Sequence, residues 1–396
     1  MHRARAWMWL ALAATTLVVA GCKKEAGQAD KEALEQKVGG AAGKLVQKAT
    51  DKVDEARKIA TDDRRALGSA EYEELLLALK DCELDRHGID RKCEAYRAYR
   101  KARSRNTMIK DLAGMISKLG LKYLTHESDA VRYESARMLK SFFGSGTESQ
   151  EAVLKHAPDE KNPLVLARMI SAVGSRAGKN PGIAEFVLKM ADHESPVVRK
   201  EVITWLTSSG SRDVKGAVDK VIEKLEQDED EDVRLAACRY AGKTGDERLI
   251  PIYRKMIVKP DKDPKMYSAC MQGLAKMWNP FLSRDAKSEQ AYKLFMAKMK
   301  SKPRTREHPP WIVMNDLGRE PRGSPTWYDR AAVVKLLTEI VLDDDAHWMA
   351  RTGGTRALGK LKARAALEQA RKKYGEGTKF EHKSIAKEID RELRKL

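Results

Sequence analysis

The sequence predicts an all-α protein: an α-solenoid of about six helical hairpins, preceded by a signal peptide and a flexible tether. Three observations carry this. Apolar residues at offsets of zero, four, five and eight recur along the 396-residue chain, and the first five copies start 34, 33, 35 and 33 residues apart, a period typical of stacked helical hairpins. Good N-cap residues stand three positions before these copies, three of them followed at once by proline. Charged residues make up 34% and aromatic residues 6% of a chain that is 42% hydrophobic, and apolar runs with period two are few, which suits helices rather than sheets. The formal charge of +18 favours acidic partners and says nothing of fold.

At the N-terminus, His2, Arg3 and Arg5 precede an apolar run over 7–20, laid out like a secretory signal and short for a permanent membrane span. The run ends in Val19-Ala20-Gly21-Cys22, which resembles the lipobox of bacterial lipoproteins. That resemblance implies cleavage of residues 1–21, diacylglycerol on the Cys22 thiol and, with Lys23 in place of Asp after the cysteine, sorting to the outer membrane of the cell envelope. An uncut anchor or an ordinary secretory signal is the alternative. Acyl chains contribute about 0.8 kcal/mol per buried methylene, enough for stable anchoring when there are several. Residues 22–69 are rich in Ala, Gly, Lys, Glu and Asp, with Gly39, Gly40 and Gly43 inside, and read as a tether.

Residues 70–125 form an N-terminal helical hairpin, with helices expected over 72–84 and 89–103 around a turn at Gly88. Cys82 and Cys93 flank that turn. In an oxidising compartment two such thiols tend to pair, which would stabilise by about 3 kcal/mol or less for so short a loop. Two buried thiols are the alternative; His87 is the one nearby imidazole, and the spacing fits no common zinc site.

The repeat over 126–278 sets the register. With Val233 as offset zero, Ala237, Cys238 and Ala241 lie on one helical stripe. Equivalent sets begin at Val131, Val165, Val198 and Met266, and a looser one at Ala350. Ser128, Asn162, Ser195, Asp230 and Asp263 are the caps, and second helices are expected near 148–156, 182–190, 214–226 and 248–258. Cys238 and Cys270 fall on the core stripe of adjacent units and read as buried free thiols rather than a second disulfide. The acids at 228–232 are explained by a helix start.

This pattern of cap, Val-Arg, small apolar residues and Leu resembles the HEAT and HEAT-like repeats of α-solenoid proteins. The resemblance implies that Arg132, Arg199, Arg234 and Arg351, just after offset zero, bond acids in neighbouring units; Leu166 and Tyr267 depart from it. It is specific for fold and nearly silent on function.

Between Met266 and Ala350 the period fails. A helix over 283–300 is expected first, but 279–330 otherwise reads as an irregular insertion, rich in proline, with Trp311 and Trp327; such a loop is either folded over the edge or a partner-binding element. A last repeat and a polar cap helix fill 331–396.

No Ser/His/Asp order, phosphate loop or HExxH pattern is present, and the histidines do not converge, so neither catalysis nor a metal or other cofactor is expected. His126 and His193 recur in His-Glu-Ser as loop residues. Lys189, Lys220, Lys224, Arg254 and Lys255 on the second helices, with Trp311 and Trp327, are the candidate partner-binding residues. A solvated face interspersed with Glu223 and Glu226 is the other reading of those lysines. The chain therefore reads as a non-catalytic, membrane-anchored envelope scaffold that docks a protein, possibly acidic in character, with no nucleic acid expected. A cell-wall or lipopolysaccharide-associated structural protein, or an accessory or lyase enzyme of the HEAT-like kind, stays open.

Overall fold

The computed structural model describes residues 67–106, 112–140, 146–208, 210–211, 213–257, 260, 262–279, 282–283, 287–301, 310–321, 323 and 325–396. The signal peptide, Cys22 and the tether as far as 66 lie outside the described residues. Eighteen α-helices, four short 3-10 helices and one β-hairpin of two-residue strands make up the regular structure of the described chain, which divides into two compact units, 67–119 with 126–134, and 120–125 with 135–396.

In the first unit α1 (Ser69–Leu77) runs into a 3-10 turn (Ala78–Asp81), a hairpin of β1 (Leu84–Asp85) and β2 (Gly88–Ile89) follows, and α2 (Glu94–Asn106) completes it. The helices expected over 72–84 and 89–103 are thus both shorter. Asp85 Oδ1 accepts the His87 N–H at 2.7 Å and Asp90 Oδ1 the Lys92 N–H at 2.9 Å, local bonds that compete with helix. Gly88 sits at φ +104°, and a Cβ there would press on the Tyr133 hydroxyl at 2.9 Å. The Cys82 and Cys93 sulfurs stand at disulfide distance, their Cα atoms 5.8 Å apart. Beneath the hairpin Tyr72 donates to the Tyr99 hydroxyl at 3.0 Å, and the fully buried Glu134 meets Arg103 at 3.4 Å. Burial, with the Glu134 charge beside it, pushes the Tyr99 phenol well above its ordinary range. Two further helices, α3 (Leu112–Lys122) and α4 (Asp129–Lys140), contribute residues to both units.

The second unit alternates first and second helices in the predicted way. First helices α6 (Pro163–Val173), α8 (Pro196–Leu206), α10 (Glu231–Ala241) and α12 (Pro264–Trp278) stack in order, separated in sequence by second helices α7 (Pro181–Met190), α9 (Ala217–Gln227) and α11 (Leu249–Met256), while α5 (Thr147–His156) precedes α6. The stripe is the core: Val165, Ile170, Val198, Val202, Ile203, Val233, Ala237, Cys238, Cys270 and Leu274 are all fully buried. Met266 is the exception, half-buried while the adjacent Tyr267 is buried. Asn162, Asp230 and Asp263 accept backbone N–H bonds as caps; Ser195 does not, and its own N–H instead donates to His193 Nδ1 at 2.9 Å. His126 accepts from Ser128 in the same way, so both histidines are loop locks.

The expectation of an irregular insertion over 279–330 is corrected. After α13 (Glu289–Lys300), which begins at its Ser288 cap and not at 283, the chain forms α14 (Trp311–Leu317), then α15 (Arg330–Leu342), α16 (Trp348–Lys360), α17 (Arg364–Tyr374) and α18 (Phe380–Leu393). Helix α14 packs between α12 and α16, in the place of a first helix, and α18 packs against α16 in the same series. Close approaches confirm the register. Offset nine of one first helix meets offset seven of the next: Gly174 faces Trp205, Gly242 faces the Gly273 carbonyl, Gly318 faces Ala357 and Gly359 faces Glu392. Counting back from Gly318 puts offset zero of the hidden unit at 309, and Val313, Met314 and Leu317 then fall at offsets four, five and eight, all fully buried. The other first helices of the series up to α16 begin two residues before offset zero, whereas α14 begins one turn later, after Pro310 at its N-cap. A proline disfavours helical conformation in the residue before it, so Pro310 opposes an earlier start and serves as an extended N-cap.

The second correction concerns Cys238 and Cys270. Rather than free thiols they stand at disulfide distance, with Cα atoms 4.8 Å apart, because offsets five and four of adjacent first helices face each other across a gap narrowed by Gly242 and Gly273.

Candidate interaction surfaces

The arginine after offset zero does more than bond a neighbouring acid. Arg132 Nη1 donates to the carbonyls of His126 and Glu127 at 2.8 and 2.9 Å, Arg199 to those of His193 and Glu194 at 3.0 and 2.8 Å, and Arg234 to those of Asp228 and Glu229 at 2.5 and 2.9 Å. Each thereby holds the loop that enters its own repeat. The bond to the next unit is made by Arg199, whose guanidinium forks onto Asp228 at 2.9 and 2.8 Å, and by Arg351, which reaches Glu381 at 3.3 Å. Leu166 and Tyr267 occupy the same place as buried apolar groups.

The second-helix cations divide into two kinds. Lys220 and Lys224 are half-buried and both bridge to Asp192 of the preceding unit, at 3.0 and 2.8 Å, and to Glu223 at 2.7 and 3.2 Å. This quartet is electrically balanced. The Lys224 hydrogen bond holds the Asp192 carboxyl below its ordinary range, and that of Lys220 does the same for Glu223. Arg248 likewise joins Asp219 to Asp246. Lys189, Arg254 and Lys255 are exposed. Arg254 lies near Lys298, whose pKa burial lowers with that charge adding to it.

The two tryptophans also separate. Trp327 lies 5.3 Å from Tyr292 in an aromatic cluster with Trp278, Phe295 and Tyr328, and so helps hold α13 to α12. Trp311 is 50% exposed beside the exposed Ile312 at the start of α14. Met349 is exposed at the start of α16, and at the start of α18 Phe380 is 73% exposed, resting edge-on at 6.1 Å against Trp348. The starts of three consecutive first helices therefore carry exposed apolar side chains. The sequence reading found Trp311 but not Met349 or Phe380, which fall at the starts of consecutive first helices only once α14 is recognised as a repeat helix.

Among the described residues no group of three or more His, Cys, Asp or Glu side chains is placed to hold a metal ion. The four described cysteines are all at disulfide distance in two pairs. Residues 183–275 match the family model of HEAT repeats. The match covers α7 to α12, and the remaining units extend the array by the same register. A comparison with curated proteins found no match.

Proposed function

We propose that the chain is a lipid-anchored scaffold of the bacterial cell envelope, held at the outer membrane through Cys22, and that it docks a protein partner on the apolar edge formed by Trp311, Ile312, Met349 and Phe380. HEAT repeats generally mediate protein–protein interaction, and such solenoids are typically non-catalytic. The observation that carries the choice of face is that three consecutive first helices each begin with exposed large apolar side chains, and exposed apolar patches mark interaction sites. Two cysteine pairs at bonding distance support an oxidising compartment, and with it export.

Deleting 279–330 is no test, because Val313, Met314 and Leu317 are core. A photo-crosslinking residue at 311 in intact cells is expected to capture a partner, and Trp311→Glu with Phe380→Glu to abolish capture from a crosslinker placed at Met349, while Lys189→Glu leaves it unchanged. Self-contacts alone from position 311 would sink the docking reading. The anchor is read separately: Cys22→Ser should move the protein from the membrane to the soluble fraction, and an unchanged membrane fraction would sink that part.

A further inference from the structure

The opposite ends of the same first helices carry a different feature. Offset ten holds Lys243 just past α10, Lys276 near the end of α12, Arg319 just past α14, Lys360 at the end of α16 and, counting from Ile385, Lys395 just past α18. Neighbouring helices in such a stack lie about 8–10 Å apart, so these charges form a row. Part of the row is structural. Lys276 Nζ donates to the Arg239 carbonyl at 2.9 Å, and Lys360 Nζ to the Asn315 carbonyl at 3.4 Å, each bonding offset six of the preceding first helix. A cation at a helix C-terminus is favourable there without any ligand.

At the end of the array the row becomes a built cleft. Offsets six and ten of α14, α16 and α18 border an open cleft of about 450 Å³, lined by Arg319, Arg356, Lys360, Arg391 and Lys395 against one lining carboxylate, Glu392. That carboxylate is admitted because Gly359 has no Cβ to displace it. Glu388 holds Arg356 at 2.8 Å and also pairs with Arg391, while Glu392 takes Lys395 and Arg391, so two acids orient three of the cations. The cations still outnumber the acids, and two guanidiniums are held in place before any ligand arrives. Burial, reinforced by Arg319 and Arg356 and opposed by Asp316 and Glu392, lowers the Lys360 pKa, the behaviour of an ammonium short of negative charge.

We infer that this cleft binds a ligand carrying more than one phosphate group, with Arg319, Arg356 and Lys360 facing its anionic oxygens. Planar guanidinium forks match phosphate oxygens in pairs, and the crossing of three helices supplies cations from three directions where a single helix could not. The phosphates belong either to a free small molecule or to a lipid headgroup. The site is distinct from the apolar edge, and neither proposal depends on the other.

The test uses the full chain carrying Cys22→Ser, so that no acyl anchor contributes. Calorimetric titration with inorganic pyrophosphate is expected to show binding that weakens about tenfold for each of Arg319→Ala and Lys360→Ala. Lys360→Arg should restore it, Lys189→Ala should leave it unchanged, and every variant should keep the parent's far-ultraviolet circular dichroism at the temperature of the titration. Co-sedimentation with phosphatidylcholine vesicles, with and without cardiolipin, assigns the source. Cardiolipin-dependent sedimentation displaced by pyrophosphate identifies a diphosphorylated lipid head, whereas pyrophosphate binding without sedimentation identifies a free ligand. Absence of pyrophosphate binding, or binding that Arg319→Ala and Lys360→Ala weaken no more than Lys189→Ala does, overturns the inference.

Discussion

At the loop entering the fourth repeat, Asp228 is 7% exposed and accepts both prongs of the 5%-exposed Arg199, which at the same time grips two carbonyls of its own loop. Burial alone would push the Asp228 carboxyl up, but Arg199 and the Asp230 N–H outweigh it and hold the group below its ordinary range. A carboxyl lowered on folding contributes stability that is full above the ordinary carboxylate range and is lost as pH falls through the folded value. Removing one partner of a buried pair costs about 3–5 kcal/mol, so Arg199→Met should lower the urea midpoint strongly at pH 7, and the gap to the parent should narrow below about pH 4. Lys276 behaves with the opposite sign. Burial, with Lys243 and Arg239 adding to it and Asp316 opposing, brings its pKa down to about 8 from the ordinary 10.5, so the folded state holds this proton less tightly than the unfolded one. Its burial penalty is present below pH 8 and is relieved as pH rises toward 10.5, the values between which the two states differ in protonation. Lys276→Met should therefore lack an alkaline rise in stability that the parent shows, read as the difference between their thermal midpoints over that window.

The unit of construction is one first helix laid against the next, and its tightest point is the contact between offsets nine and seven. A Cβ on Gly242 would collide with the Gly273 carbonyl, between backbones that cannot yield cheaply, so Gly242→Ala should destabilise by about 1–3 kcal/mol despite its better helix propensity. Gly114 in α3 is exposed with nothing near its missing Cβ, and Gly114→Ala should stabilise by about 0.5–1 kcal/mol. Opposite signs in two chemical-denaturation curves check the pair. The same contact explains what the sequence revealed and what it hid. The stripes beginning at Val131, Val165, Val198 and Val233 were readable because each helix keeps its first turn and so shows all four offsets. Helix α14 was missed because Pro310 starts it one turn late, leaving Val313, Met314 and Leu317 as too few apolar marks to define a period. The disulfide-distance pair of Cys238 and Cys270 was read as two thiols because spacing places them on one core stripe but does not say how closely two helices approach, and the two glycines that decide it carry no side chain to read. The second-helix lysines were legible as a basic face, yet their compensation by Asp192 comes from another unit 28 residues away from Lys220. The cleft of offsets six and ten needed the register of the hidden helix before its cations could be seen as one set.

In a stacked array each unit is stabilised chiefly by its neighbours, so a weak unit in the middle divides the molecule's stability without dividing its fold. Helix α14, seven residues long, is the shortest described first helix, and it packs against both α12 and α16. Its Leu317 is fully buried, and truncation of such a leucine costs about 2–5 kcal/mol. In a globular core that loss would be shared by every amide; here it should stay local, because the contacts of α6, α8 and α10 with one another do not pass through α14. Hydrogen exchange on Leu317→Ala is therefore expected to show faster exchange in α14, α16 and α18 with protection in α6 and α8 unchanged. Uniform loss of protection along the chain would mean that the array unfolds as one cooperative body, and that the short helix is a joint in sequence only. The distinction bears on both proposed surfaces, since the apolar edge and the basic cleft are each built from α14, α16 and α18. A local opening at this joint should weaken partner capture and pyrophosphate binding together, whereas Trp311→Glu should affect the first alone and Lys360→Ala the second alone.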